Sequence, residues 1–314
     1  MNNFKLSQNK LQEWYVNHGR HDLPWRNTDN MYHIYLSEIM LQQTQVSRVL
    51  EEYYPQFLEK YPTLMSLASA PQEDVLSAWS GLGYYSRARN LHKTAIACPE
   101  SLPKTQEELM KLPGIGRYTA SAICSFGHEQ NIPVVDTNIA RVIKRFFSLL
   151  EPKEVTLWSH AKEFVNNNES RHHNLALMDL GSLVCLPKNP LCQECPLEKK
   201  CLGKSSPELY TQTKKKEYEF LELFYGVYIK NGKIALQVST KKMYKDMYVL
   251  PSVEPIEEDL IGSFKHAYTK YRLKVNLYRV EEVNEEVIWI DVEKLALSPI
   301  SSLTKKAEKF FKDL

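Results

Sequence analysis

Two carboxylates, a glycine turn and four cysteines carry the chemistry legible in this sequence. Four of the six cysteines fall in one short stretch, Cys185-x6-Cys192-x2-Cys195-x5-Cys201. Thiols clustered this way in a reducing compartment argue for metal rather than disulfides. Zinc sites usually pair two C-x2-C knuckles at a distance, whereas here one C-x2-C is flanked by two single cysteines. Four thiolates on one compact loop suit a cubane [4Fe–4S] cluster, with a zinc knuckle as the alternative. Cys98 and Cys124 lie in helical segments and read as core thiols.

The carboxylates stand far from that loop. Ile34, Glu38 and Leu41 share one helix face. A carboxyl on an apolar face is costly to ionise, so it stays protonated near neutrality and suits a general acid. A solvated surface glutamate is the bland reading. Leu112-Pro113-Gly114-Ile115-Gly116 sits between two short helices. Gly114 and Gly116 let the backbone turn and expose N–H groups, a phosphate-binding nest if the turn does more than connect helices. Asp136 follows in Pro133-Val134-Val135-Asp136-Thr137-Asn138, where it suits a helix N-cap and a site carboxylate equally.

The elements that must position these groups are helical from residue 1 to about 204. Apolar spacing predicts helices over about 30–40, 44–59, 71–81, 86–97, 105–111, from 117, and over 138–149, 156–166 and 174–184. Residues 205–217 are polar and contain Lys214-Lys215-Lys216, a linker signature. Residues 218–314 read as α+β with a mostly antiparallel sheet. Leu223–Ile229 and Lys233–Ser239 flank Asn231-Gly232, a type I′ hairpin signal. The 314 residues, 43% hydrophobic and 25% charged, suit a soluble two-domain protein. The net charge of +2 is weak support for nucleic-acid binding, which must rest on local chemistry. The N-terminus lacks an apolar h-region and no stretch is long enough for a membrane span, so a cytoplasmic location is expected.

Hairpin, Asp136 and cysteine quartet stand in the order found in the helix-hairpin-helix DNA glycosylases. Residues 10–201 resemble the endonuclease III/MutY branch, most closely the MutY adenine glycosylases. The resemblance is carried by Leu23-Pro24-Trp25-Arg26, by Ser37 through Val46 (SEIMLQQTQV), by Gly81-Leu82-Gly83-Tyr84-Tyr85-Ser86-Arg87, and by the three motifs above. It implies a six-helix barrel over about 30–135 and a cluster domain from 1–29 and 136–204. It implies one [4Fe–4S] cluster on the quartet, in a structural role. Glu38 would protonate the flipped adenine at a ring nitrogen, and ionised Asp136 would stabilise the oxocarbenium ion. Asn138 would orient a carboxyl, and Tyr118 would bond the sugar or Asp136. Bifunctional relatives carry a lysine at position 118, so Tyr118 implies a monofunctional enzyme without strong strand cleavage. DNA contacts are implied for Trp25, Arg26, Gln43, Thr44, Tyr84, Gly114 and Gly116, with Gln43 and Tyr84 wedging into the duplex. Lys188, Lys199 and Lys200 on the cysteine loop are candidates for phosphate contacts. The expected partner is duplex DNA with adenine opposite 8-oxoguanine or guanine, bound by a monomer at the nucleoid.

Residues 218–314 resemble a shortened Nudix-like 8-oxoguanine-recognition domain without a hydrolase box. Tyr268 and Thr269 fall at its recognition loop. Two positions depart from the family. Lys270 replaces a histidine of that loop. Leu175 stands where MutY enzymes usually have Glu or Gln against adenine, and G·T-mismatch thymine glycosylases have Leu. Such a thymine glycosylase, or a non-catalytic iron–sulfur DNA-binding protein, is the competing expectation.

Overall fold

The computed structural model describes residues 4–211, 217–255, 257–282 and 286–312. Before the cysteine loop come α1 (Lys5–His18), α2 (Met31–Leu41), α3 (Val46–Arg48), α4 (Tyr54–Lys60), α5 (Leu64–Ala68) and α6 (Gln72–Ala78). They are followed by α7 (Ser86–Ala97), α8 (Gln106–Leu109), α9 (Arg117–Gly127), α10 (Thr137–Phe146), α11 (Glu154–Phe164) and α12 (Ser170–Leu183). A π-helical stretch, Val49–Tyr53, joins α3 to α4. Short polar side chains cap three of these helices. Asn30 accepts from the Tyr32 and His33 N–H groups ahead of α2, and Thr105 accepts from Glu108 N–H ahead of α8. Asp136 does the same for α10.

Contacts divide the chain into two units, Met1–Ala68 with Lys93–Thr213, and Ser69–His92 with Lys214–Leu314. The continuous ranges expected from sequence are corrected at two points. Residues 69–92 group with the C-terminal region rather than with the rest of 30–135. The first unit also runs past residue 205, because Pro207–Tyr210 forms a 3-10 turn held against it. Arg145 Nε donates to Pro207 O at 2.9 Å, and the Ser148 and Tyr210 hydroxyls stand 2.7 Å apart. Lys214–Lys216 lie outside the described residues.

The core of the first unit gathers Leu11, Phe126, Ile139, Ile143, Phe146, Phe164 and Leu180 from α1, α9, α10, α11 and α12. Phe4 closes it edge-on against Phe146, Phe147 and Phe164. α2 is buried almost all round, from Tyr32 through Met40 apart from His33. A helix apolar on every side belongs inside a core, and this one takes Glu38 there. Cys124 is fully buried, as expected. Cys98 is half-buried, with its thiol donating to Thr94 O at 2.9 Å.

The second unit carries two sheets, β1-β6-β5 and β2-β3-β4 with β7 on β3. The strands are β1 (Glu219–Val227), β2 (Ile229–Lys230), β3 (Lys233–Val238), β4 (Tyr248–Val249), β5 (Leu260–Tyr268), β6 (Tyr271–Arg279) and β7 (Ile288–Asp291). A short helix, α13 (Ser302–Ala307), follows. Asn231 and Gly232 have φ of 52° and 71°, as a type I′ turn requires. The hairpin they close is shorter than the sequence pattern predicts. Only β2 pairs with β3 across it, while β1 pairs in parallel with β6 in the other sheet. The remaining pairings are antiparallel.

Candidate active site

Glu38, Tyr118 and Asp136 line one cavity of about 900 Å³ in the first unit, with Leu175 in its wall. Glu38 comes from buried α2 and is 6% exposed. Tyr118 comes from the first turn of α9, directly after the hairpin, and its hydroxyl donates to Glu38 Oε2 at 2.5 Å. The partner of Tyr118 is therefore Glu38, not Asp136 as one sequence reading had it. Burial pushes the Glu38 carboxyl up to about 7, and the Asp136 charge adds to this. The Tyr118 hydrogen bond and the Arg26 charge pull it back.

Asp136 caps α10, as one reading of the sequence expects, and lines the cavity. Its Oδ1 caps α10 by accepting from Ile139 N–H at 2.6 Å, and its Oδ2 accepts from Asn138 Nδ2 at 3.1 Å. Burial raises its carboxyl, against hydrogen bonds from Ile139 and Asn138 and the Arg141 charge that favour ionisation. Asn138 Oδ1 in turn accepts from Arg141 Nη2 at 3.0 Å. Arg141 also donates to Gly181 O and, at 2.7 Å, to Cys185 O. A Cβ on Gly181 would stand 2.7 Å from Asn138 Cβ, so glycine permits the close approach of α12 to α10.

Arg20, Arg117 and Trp158 also line the cavity, and the sequence flagged none of them. Asp179 of α12 is fully buried and accepts from Arg20 and from both Nη groups of Arg26, at 2.6 and 2.8 Å. Burial opposes its charge, but the two arginines hold its carboxyl below the usual range. Arg117 stacks on Trp158 with 4.0 Å to the ring centroid. These pairs join residues far apart in sequence, and no local pattern marks them. Trp25 is 6% exposed and packs edge-on against Tyr54, while Arg26 is spent on Asp179. Both stand in the cavity wall rather than on the outer surface expected of direct DNA contacts. Gln43 and Thr44 line the same cavity, Gln43 exposed with φ 58°.

The hairpin glycines differ. Gly114 has φ 74°, which glycine adopts without strain. Gly116 is extended and exposed, and a Cβ there would meet nothing within 4 Å. Among the described residues no side chain or backbone atom crowds position 116, which is the N-cap of α9.

Cys185, Cys192, Cys195 and Cys201 ring one small pocket with Val184, Leu191 and Arg145. All four are half-buried free thiols. Burial pushes the thiols of Cys192 and Cys201 up and that of Cys195 to about 12, and neighbouring thiolates push the same way. Burial of those three thiols disfavours their charged forms, and a bound cation offsets that cost, so the set of four sulfurs fits a metal centre. Among the described residues no three His, Cys, Asp or Glu side chains close round a single-ion position, so the thiols ring the pocket rather than meet at one point. Arg145 Nη1 lies 3.2 Å from Cys185 Sγ. Lys188, Lys199 and Lys200 are exposed on the same loop.

In the second unit Tyr84 is exposed at 42% with φ 48°. Tyr268 ends β5, half-buried, and Thr269 stands exposed at the β5–β6 turn with φ 50°. Lys270 is paired with Glu219.

Residues 36–166 match the model of the HhH-GPD superfamily base excision DNA repair proteins. The chain is 31% identical over 302 residues to the adenine DNA glycosylase of Buchnera aphidicola subsp. Acyrthosiphon pisum, covering 87% of this chain and 86% of that one. It is 40% identical over 235 residues to the adenine DNA glycosylase of Buchnera aphidicola subsp. Baizongia pistaciae, covering 70% and 67%. Among solved structures, a thermostable thymine-DNA glycosylase superposes with a TM-score of 0.59 at 28% identity, covering 64% of this chain and 96% of that one.

Proposed function

The chain belongs to the adenine DNA glycosylase family of base-excision repair enzymes, and we propose that it removes adenine opposite 8-oxoguanine or guanine, using Glu38 as general acid and Asp136 as carboxylate. The observation that carries this is the carboxyl pair in one cavity, one member hydrogen-bonded by a phenol and the other fixed on a helix N-terminus. Tyr118 occupies Oε2, which leaves Oε1 of Glu38 to carry the proton. The proton goes to a ring nitrogen of the extruded base. The glycosidic electron pair leaves with the base. Asp136 offsets the charge left on the sugar, and water adds its oxygen to that carbon and returns a proton to the carboxyl pair. Tyr118 is no Schiff-base former, so the product is an abasic site in an unbroken strand.

Gly114, Gly116, Gln43, Thr44 and Tyr84 would meet the duplex, with Gln43 and Tyr84 entering it. Arg26 and Trp25 would act from the cavity wall. The four cysteines would hold a [4Fe–4S] cluster, which would cross-link their loop beside Arg145 of α10. The C-terminal region would be Nudix-like and read the base opposite adenine through Tyr268 and Thr269.

A second reading has one observation in its favour. Leu175 is 5% exposed in the cavity wall and offers the base no hydrogen bond, as in thymine glycosylases acting on G·T mismatches. Single-turnover assays on A·8-oxoguanine, A·G and T·G duplexes, followed by alkali, decide between the two. Adenine release is expected. Thymine release without adenine release would overturn the proposal, and silence on every duplex would leave only a DNA-binding protein.

A further inference from the structure

The second unit brings together two elements that lie nearly 200 residues apart in sequence. One is the loop from Gly81 to Tyr85 between α6 and α7, which presents Tyr84. The other is the β5–β6 turn, which presents Tyr268 and Thr269. We propose that the Tyr244–Asp246 loop is a rigid relay between them, with Arg89 as its positioning residue, so that the hold of the β5–β6 turn on the base opposite adenine sets where Tyr84 enters the duplex. This rests on the readings of Tyr84 as wedge and Tyr268 as lesion contact.

The contacts run without a break. The Tyr268 ring lies against the Tyr244 ring, with centroids 4.6 Å apart. Tyr244 is 4% exposed, and its hydroxyl is 2.8 Å from His266 Nε2, which ties it a second time to β5. Ser302 Oγ donates to the same hydroxyl at 3.3 Å. The loop that follows is tight. Tyr244 and Asp246 have φ of 59° and 61°, Met247 N–H donates to Tyr244 O, and Asp246 N–H donates to Ser239 O. Arg89 Nη1 donates to Lys245 O at 2.7 Å, and its Nε lies 3.7 Å from Asp246 Oδ2. Arg89 is in the first turn of α7.

Two residues before Arg89, Arg87 reaches back under the loop. Its Nη2 donates to Leu82 O at 3.2 Å and Gly83 O at 3.0 Å, and its guanidinium lies 5.6 Å from the Tyr84 ring centroid. Trp79 Nε1 donates to Gly83 O at 3.1 Å. On the other flank, Ser77 Oγ donates to Leu297 O at 2.6 Å, and the Tyr248 hydroxyl donates to Glu73 Oε2 at 3.1 Å. Both helices that hold the Tyr84 loop are thus tied to the C-terminal region, α6 through Leu297 and the β4 residue Tyr248, α7 through Lys245 and Asp246. The loop has left-handed φ at Gly81, Gly83 and Tyr84, a conformation that persists when its surroundings over-determine it. A displaced β5–β6 turn therefore moves Tyr244, the Lys245 carbonyl and the start of α7 together.

The test is a double-mutant cycle on the full chain. A fluorescent aminopurine replaces adenine opposite 8-oxoguanine or guanine, and its signal reports base opening. Arg89→Met should cost most of the preference for opening opposite 8-oxoguanine, about fivefold or more, with opening opposite guanine changed by less than about twofold. Tyr268→Ala added to Arg89→Met should change the preference by less than about twofold further. Additive losses, or full preference in Arg89→Met, would overturn the relay. If Arg89→Met melts below the assay temperature, Tyr244→Phe, which removes only the hydroxyl ties, takes its place under the same criteria. Tyr84→Ala is run alongside. Unchanged opening in that variant would remove the wedge reading itself, a failure distinct from additivity.

Discussion

Glu38 in water would be an ordinary carboxylate, and burial in α2 is what keeps it near neutrality. Its acid form is the one proposed to act, so single-turnover excision should fall as pH rises through about 7. The same shift has a thermodynamic side. A carboxyl raised in the folded state stabilises the fold below its ordinary range and loses that contribution as pH rises through about 7. Glu38→Gln should therefore be inactive yet more stable than the parent above neutrality, by up to about 3 kcal/mol in thermal melts across pH. Tyr118→Phe removes a hydrogen bond that pulls the Glu38 carboxyl down. The alkaline limb of its pH–rate profile should move to higher pH while the maximal rate drops by about tenfold. A lower rate with an unmoved limb would mean that Tyr118 acts elsewhere. Glu38 and Asp136 were singled out by a helical apolar face and a capping position, but a surface glutamate and a plain N-cap fit those local patterns as well, and their roles came only from the resemblance. The Tyr118–Glu38 bond spans 80 residues, and Asp179 meets arginines more than 150 residues away, so neither pairing has a local signal.

At the scale of elements, α12 gathers more of the site than its sequence suggests. It brings Leu175 to the cavity, anchors two arginines on Asp179, and leaves at Gly181 the space that Asn138 fills. Gly181→Ala should push α12 away from α10, cost about 1–3 kcal/mol in denaturant titrations, and slow excision through a displaced Asn138. An unchanged midpoint and rate would show that the helices yield freely there. Helix bounds were readable where a cap or a proline marks them. The strong period over Ser86–Ala97 gave α7 at both ends, and Asn30 and Thr105 announced α2 and α8. The sheets were less legible. An alternating run over Leu223–Ile229 reads as one strand, but the choice to leave β3 at Tyr228 and pair β1 in parallel with β6 is made by distant partners.

Across the whole molecule, the cysteine loop and the hairpin are the features with consequences beyond their own contacts. Cys192→Ser should lower the melting temperature and weaken duplex binding, while the single-turnover rate at saturating enzyme stays within about threefold. A rate collapse at full DNA occupancy would instead give the cluster a part in bond cleavage. The division near Thr213 was readable from the change of composition at the linker, whereas the grouping of Ser69–His92 with the C-terminal region is made by contacts distant in sequence and was not. Gly116 leads somewhere else. It is exposed, extended and open on the side a methyl group would occupy, so among the described residues only its place as the N-cap of α9 favours glycine over alanine. Gly116→Ala should cost no more than about 1 kcal/mol in melts, the difference between glycine and alanine at an N-cap, and still bind duplex more weakly, by about tenfold in a titration at fixed salt. Equal affinity would mean that no phosphate comes that close. If affinity falls as expected, the glycine is a constraint written by another molecule. It would be a vacancy kept in the surface so that a DNA strand can lie directly against the backbone.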